Sequence, residues 1–281
     1  MNQVILNSHA KINLFLRILN KRDDGYHSLQ MIIAPLELHD TIVVSKSHQD
    51  RCHSNNNSLP TDQSNLCIQA LQLMRQYYPV IKGVDIYINK IIPTGAGLAS
   101  GSTNAAAVIK ALIQLYQLKV SHEKQSIIAS NVGMDVPFFL YNEPMIAYER
   151  GDKLKACVVR SYLVVLVKPK TFISTQAAYA LFDSVQCQYT KIDYPDFTTH
   201  DETKLSSMLL NDFEPIIFKK YAVVKQVKQD LLIAGAPCAC LTGSGSAIFS
   251  LFINKNKAMK VYDAMRNKYD EVFLTSILGN V

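Results

Sequence analysis

The stretch "PTGAGLASGSTNAAA", Pro93 to Ala107, sets three glycines among small and hydroxylated residues, directly before an alanine-rich run. Glycine inside a regular element costs about 0.5–1 kcal/mol relative to alanine. Clustered glycines imply either left-handed backbone angles or close approach of some group to the backbone. The next residues read as a helix from about Ser102 to Leu118 with a single charge, Lys110. A helix so apolar is buried on most faces. A glycine-rich loop opening a helix is a recipe for an anion site. First-turn N–H groups lack intrahelical partners, and the macrodipole places positive potential there. Ser102 and Thr103 add hydroxyls at that start. A tight turn with an N-cap serine and no ligand stays open as the alternative. Two common phosphate loops are excluded. No Gly-Lys-Ser/Thr end is present, and Gly95, Gly97 and Gly101 lack the G-x-G-x-x-G spacing of the dinucleotide fingerprint.

Upstream, "NSHAKINLFLRI" alternates: Ile12, Leu14, Leu16 and Ile18 share one face of a strand, and His9, Lys11 and Asn13 the other. That polar stripe is either the floor of a site or the outer face of a half-exposed strand. Asp24-Gly25 signals a hairpin turn. Residues 64–78 read as a helix ended by Pro79, and "GVDIYINK" as a strand. A further helix begins near Ser121 and stops at Gly133. "DVPFFL" and "MIAYERGDKL" read as short strands or loops, and a strong new strand begins in "CVVRSYLVVLVKPK". Helices, strand, turn, strand and helix follow, which predicts an α+β chain with a boundary around 150–162.

The 281 residues are 48% hydrophobic and 19% charged, enough to bury a core, which excludes disorder. The net charge of +6 suits an anionic small molecule. Without a Lys/Arg block, it argues for neither nucleic acid nor a membrane surface. The start has no secretory pattern, and no apolar run reaches the roughly 18 residues that span a bilayer. Cys52, Cys67, Cys157, Cys187, Cys238 and Cys240 are scattered and read as buried free thiols of a reducing cytoplasm. His48, Cys52 and His53 hint at a metal, but no second cluster at ligand spacing accompanies them, so a polar loop is expected there.

Pro93, Gly97-Leu98 and Gly101-Ser102-Thr103 resemble the ATP-binding motif of the GHMP kinases, the family of galactokinase and of the homoserine, mevalonate and phosphomevalonate kinases. Ala99 and Ser100 stand where close relatives often carry glycine, which stiffens the loop. "AKINLFLRILNKRDDGYHSLQMI", "SNL", "VGMDVPFFL", "NDFE" and "LTGSGSAIF" follow the order of one branch of that family, which phosphorylates a cytidine-diphosphate-linked isoprenoid precursor. The resemblance covers essentially the whole chain. It implies a two-domain α+β kinase: an ATP-binding domain over 1–155 with its phosphate loop at 93–104, and a ferredoxin-like sheet-plus-helices domain over 156–281.

The implied chemistry is phosphoryl transfer from ATP, with Mg2+ bridging charge, to the 2-hydroxyl of a small molecule in the cytoplasm. Asp135 matches the family's catalytic aspartate and Lys11 the lysine that faces it. Pro93, Gly95, Ala96, Gly97, Leu98, Ala99, Ser100, Gly101, Ser102, Thr103 and Asn104 would meet the nucleotide's phosphates, Asn65 and Leu66 its adenine end, and Ser102 is a candidate metal ligand. Asn13, Tyr26, His27, Thr175 and Tyr179 would bind the substrate, with Tyr26 and Tyr179 stacking on its base and His27 reading the base edge. Gly243, Ser244 and Gly245 form a supporting loop. The sequence leaves the oligomeric state open. The alternatives are a homoserine- or mevalonate-type kinase and a non-catalytic nucleotide-binding module. "DGYH" disfavours the first, and Lys11 with Asp135 disfavours both.

Overall fold

Alternation builds the first strand. Ile12, Leu14, Leu16 and Ile18 are buried on one face of β1 (Gln3–Lys21) in a computed structural model that describes residues 1–185 and 189–281. Cys187, expected to be a buried thiol, lies outside the described residues. The Asp24-Gly25 turn follows, with Gly25 at φ +83°, and the chain returns beside β1 as β2 (His27–Lys46). Then come β3 (Arg51–Ser54), α1 (Leu66–Tyr77), β4 (Val84–Asn89), α2 (Ser100–Leu115) and α3 (His122–Val132). After them lie β5 (Met145–Glu149), β6 (Lys153–Ala156), β7 (Leu163–Lys168), α4 (Thr175–Ser184), α5 (Leu205–Met208) and β8 (Leu210–Asn211). The chain ends with α6 (Glu214–Lys220), α7 (Ala222–Ile233), β9 (Cys240–Leu241), β10 (Ile248–Phe252), α8 (Lys255–Arg266) and β11 (Glu271–Ser276). Side-chain oxygens of Asn65, Ser121, Ser174 and Asn254 cap α1, α3, α4 and α8.

The chain packs as two compact units that interleave along the sequence. The first holds Met1–Ala10, His39–Ile92 and Ala99–Asn142; the second holds Lys11–Leu38, Pro93–Leu98 and Glu143–Val281. In the first unit β3 pairs parallel to β4, and β4 antiparallel to Thr41–Lys46 of β2. Helices α1 and α2 pack together through Cys67, Ala70, Leu71 and Met74 against the small and branched residues of α2, all buried. Alanines there let the backbones approach. In the second unit β5 pairs with Leu29–Ile33 of β2 and with β6, and β8 runs parallel to β1 at Phe15 and Leu16. A separate antiparallel sheet has the order β11-β7-β10-β9, with α7 and α8 packed on it. Val164–Val167 of its inner strand β7 are fully buried.

Three expectations need correction. Helix α2 begins at Ser100 and ends at Leu115, its N-cap is Ala99, and no side chain caps it. The N-cap serine alternative therefore fails. Lys11 and Asn13 are not on a half-exposed face: they are 6% and 2% exposed. Arg51–Ser54 is a strand rather than polar loop, because β4 offers it a parallel partner. Among the described residues no cluster of His, Cys, Asp and Glu could hold a metal, and no helix is long and apolar enough to cross a membrane. The five described cysteines are free, and burial pushes the thiols of Cys52, Cys157 and Cys238 up to about 11, which leaves them protonated and unreactive.

Candidate active site

In the second unit, the loop Pro93–Leu98 is set against the small-residue loop 242–247. Gly97 lies at φ +76°, and a Cβ on it would stand 2.0 Å from the Thr242 carbonyl oxygen. Both reasons for a glycine hold at this position, and the group that approaches the backbone is the protein's own second loop. Ala247 N donates to Ala96 O at 3.2 Å, Thr242 Oγ1 to Gly97 O at 3.4 Å, and Lys11 N to Leu98 O at 3.3 Å. Gly95 has φ +61°, with the Phe172 ring beside its α-carbon.

Lys11 is buried against this loop pair. Its Nζ donates to Asn13 Oδ1, and it lies 3.1 Å from where a Gly243 Cβ would be. Asn13 N donates to Thr242 Oγ1 at 3.1 Å. The second loop is itself held from below. Asn211 Nδ2 donates to Leu241 O (2.7 Å) and Gly243 O (2.9 Å), and Glu214 Oε1 accepts from Leu241 N (2.9 Å). Burial raises the pKa of the neighbouring Asp212, whose Oδ2 accepts from Ile18 N, with Arg17 at 3.5 Å working the other way. Thr175 and Ser244 hydroxyls meet at 3.3 Å, which ties the first residue of α4 to the loop.

The residues expected at the base end also fall in the second unit. His27 is 6% exposed; its ring stacks on Tyr179 at 5.1 Å and 18°, with Phe182 edge-on at 5.8 Å. His27 Nε2 is 2.8 Å from Asp183 Oδ1, and Lys21 Nζ is 2.6 Å from Asp183 Oδ2. The lysine's hydrogen bond is the main reason the Asp183 carboxyl sits below its ordinary range. Tyr26 is half exposed, with the Arg150 guanidinium 5.7 Å from its ring centre.

The first unit holds the helix start. Ala99 is left-handed (φ 54°, ψ 36°), so the first-turn amides of α2 have no side-chain acceptor. Gly101 is exposed and Ser100 and Ser102 are half-buried. Thr103 and Asn104 are both 2% exposed, with Asn104 Oδ1 accepting from Ser8 Oγ at 2.7 Å and Thr103 Oγ1 3.1 Å from that hydroxyl. Asn65 is buried as the cap of α1, accepting from Cys67 N (2.9 Å) and donating to Pro60 O (2.6 Å); Leu66 beside it is half-buried. Asp135 is exposed, between the α3 C-cap Gly133 and a 3-10 turn, Pro137–Leu140. Lys110 Nζ donates to Phe139 O at 2.7 Å, and burial lowers its pKa to about 8. Before the loop, Asp40 accepts from Ile91 N and Ile92 N, both at 2.7 Å, and pairs with buried Lys90 at 2.9 Å.

Residues 65–143 match the family described as "GHMP kinases N terminal domain", and residues 194–271 "GHMP kinases C terminal". A protein of Clostridium beijerinckii named 4-diphosphocytidyl-2-C-methyl-D-erythritol kinase is 34% identical, over 96% of this chain and 98% of its own. The chain belongs to the GHMP kinase family. A protein of the same name from Chlorobium phaeobacteroides is 38% identical, over 98% of this chain and 95% of its own. A crystal structure titled 4-(cytidine 5'-diphospho)-2C-methyl-D-erythritol kinase superposes with TM-score 0.82 at 28% identity, covering 99% of this chain and 100% of that one. A homoserine kinase of Cytophaga hutchinsonii, at 17% identity and TM-score 0.71 over 99% and 95% of the two chains, shares the fold. The two-domain α+β architecture and the activity class, a small-molecule kinase, follow from this membership.

Several residues of this GHMP kinase have roles that the sequence did not assign. Asn211 and Glu214 stood in the quoted motif "NDFE", without the loop they hold. Ser8, Asp40 with Lys90, and Asp183 had no signal, because each works on partners distant in sequence.

Proposed function

We propose that this GHMP kinase transfers the terminal phosphoryl group of ATP to the 2-hydroxyl of 4-diphosphocytidyl-2-C-methyl-D-erythritol, a step of the non-mevalonate route to isoprenoid precursors. The observation that carries the reading is the likeness, over nearly the whole length, to proteins named for that substrate. The buried ring cluster around His27 supports it, since a flat base needs aromatic neighbours and a polar edge.

Phosphoryl transfer through a loose transition state asks for positioning and charge stabilisation more than for covalent chemistry. The uncapped first turn of α2 and the loop before it supply backbone N–H groups to the phosphates of ATP. The Ser102 hydroxyl, a hard oxygen, would help to hold a magnesium ion, which would supply charge neutralisation for the phosphates. Lys11 stabilises charge on the transferred group. Asp135, an exposed carboxylate, is the proton acceptor. A carboxylate is sufficient when the hydroxyl proton leaves late. Tyr26 and Tyr179 stack on the cytosine, and His27 reads its edge. Thr175 and Asn13 hold the rest of the substrate. Asn65 and Leu66 line the adenine end, with Asn65 acting through its backbone and its α1 cap. The reducing cytoplasm suits the free thiols.

The test is turnover with ATP against a panel of the cytidyl substrate, methylerythritol 4-phosphate, homoserine and mevalonate. The cytidyl compound should be strongly preferred. Asp135→Asn should keep ATP affinity and lose about 10²–10⁴-fold in kcat. Better turnover of homoserine or mevalonate would sink the substrate assignment, and near-wild-type kcat in the variant would remove Asp135 from the chemistry.

A further inference from the structure

The imidazole of His27 is held on three sides by one helix. Tyr179, Phe182 and Asp183 fall at i, i+3 and i+4 of α4 and so share one face. Tyr179 covers the ring plane, Phe182 meets its edge, and Asp183 Oδ1 sits 2.8 Å from Nε2. The stacked and edge contacts fix the plane of the ring without choosing which nitrogen carries the proton. The carboxylate makes that choice, because it only accepts: Nε2 must be the protonated nitrogen. Lys21 Nζ on Oδ2, at 2.6 Å, holds the other oxygen of the same carboxylate in place. The ring is buried, and with Nε2 held by the carboxylate the second nitrogen of the neutral tautomer, Nδ1, is an acceptor.

We propose that Asp183 is a positioning residue for base selection: by holding the Nε2–H tautomer of His27, it presents Nδ1 as an acceptor for the exocyclic amine of a cytosine. This rests on the reading of His27 as the residue that meets the base. Cytosine carries an amine donor at that edge, and uracil a carbonyl acceptor. An Nδ1 lone pair accepts from the first and repels the second, so the tautomer sets the choice of nucleobase. Without Asp183 the ring is free to adopt the other tautomer, whose Nδ1–H suits uracil.

The test compares wild type, Asp183→Asn, Asp183→Ala and His27→Ala with the cytidyl substrate and its uridyl counterpart. One neutral hydrogen bond corresponds to a change of about 2- to 10-fold. Asp183→Asn and Asp183→Ala should raise the KM for the cytidyl substrate by about that factor, with kcat and the KM for ATP unchanged. They should also lower the cytidyl-over-uridyl preference in kcat/KM. Nitrogen-15 NMR of the His27 ring should report the Nε2–H tautomer in wild type and a mixture in Asp183→Asn. A kcat loss without a KM change, an unaltered base preference, or an unaltered tautomer would each overturn the proposal. His27→Ala separates the two layers. If it raises KM while the Asp183 variants do not, the tautomer role fails and the base reading stands. If it leaves KM unchanged, the base reading fails as well.

Discussion

Two regions of the second unit are built in opposite ways. Where Pro93–Leu98 meets residues 242–247, the walls are backbone: glycine α-carbons lie against carbonyls, and the hydrogen bonds between the loops end on main-chain oxygens. Around His27 the walls are side chains: a phenol, a phenyl ring and a carboxylate. Backbone surfaces have few degrees of freedom, so one added carbon displaces the chain. Side-chain surfaces exchange one functional group for another without moving the fold. The first arrangement suits chemistry that every member of a kinase family needs. The second suits the choice of what is phosphorylated.

The sharpest way to break this contrast is Gly97→Val. Forcing φ +76° on a non-glycine costs about 1–2 kcal/mol, and crowding against Thr242 adds about 1–3. The stability loss should therefore be about 2–5 kcal/mol by urea denaturation, alongside a steep rise in the ATP dissociation constant. Unchanged stability and unchanged ATP binding would reduce the loop to an ordinary turn. The side-chain region should respond differently. Tyr26→Ala removes a half-exposed ring, so stability should stay within about 0.5 kcal/mol while the KM for the cytidyl substrate rises about 5- to 150-fold. Loss of stability with no KM change would mean that Tyr26 is structural.

Ala99→Gly sharpens the backbone side. Alanine at φ 54° is strained, and glycine relieves it, so the urea midpoint should rise by an amount worth up to about 1 kcal/mol, with the m-value unchanged. A fall in the midpoint would show that the Ala99 methyl group makes packing contacts that outweigh the strain. Lys110→Met shows its effect in pH dependence. The folded pKa of Lys110, about 8, lies below its unfolded value, so between the two the unfolded chain binds more protons. Lys110 therefore makes wild-type stability rise with pH from about 8 towards the ordinary lysine value. That component should vanish in Lys110→Met. Identical pH slopes for the two proteins would place Lys110 in contact with water.

Legibility in the sequence followed the same contrast. Strand β1 was readable from alternation, the ends of α1 and α3 from Pro79 and Gly133, and the tight turn at 93–98 from its glycines, because each depends on neighbours in sequence. The start of α2 was misplaced by two residues because Ala99 takes a conformation that propensity assigns to glycine. The burial of Lys11 and Asn13 could not be read, since it depends on a loop more than 200 residues away. Thr103 and Asn104 looked like ligands for phosphate, yet their side chains meet Ser8. The acid at 183 looked like any residue near a helix end until α4 was placed beside the β1–β2 hairpin.

The interleaving of the two units has a consequence for synthesis on the ribosome. Residues 11–38 emerge early, but their partners come late: Leu36 bridges to Ile277, and Leu38 N donates to Thr275 Oγ1. Until the last segment leaves the exit tunnel, an apolar hairpin waits with its final neighbours missing. Pairings of such long sequence separation fold slowly, and unpaired strands are where nascent chains associate wrongly. The yield of active kinase should therefore depend on how fast translation reaches the final strand, and on whether a chaperone shelters the hairpin in the interval.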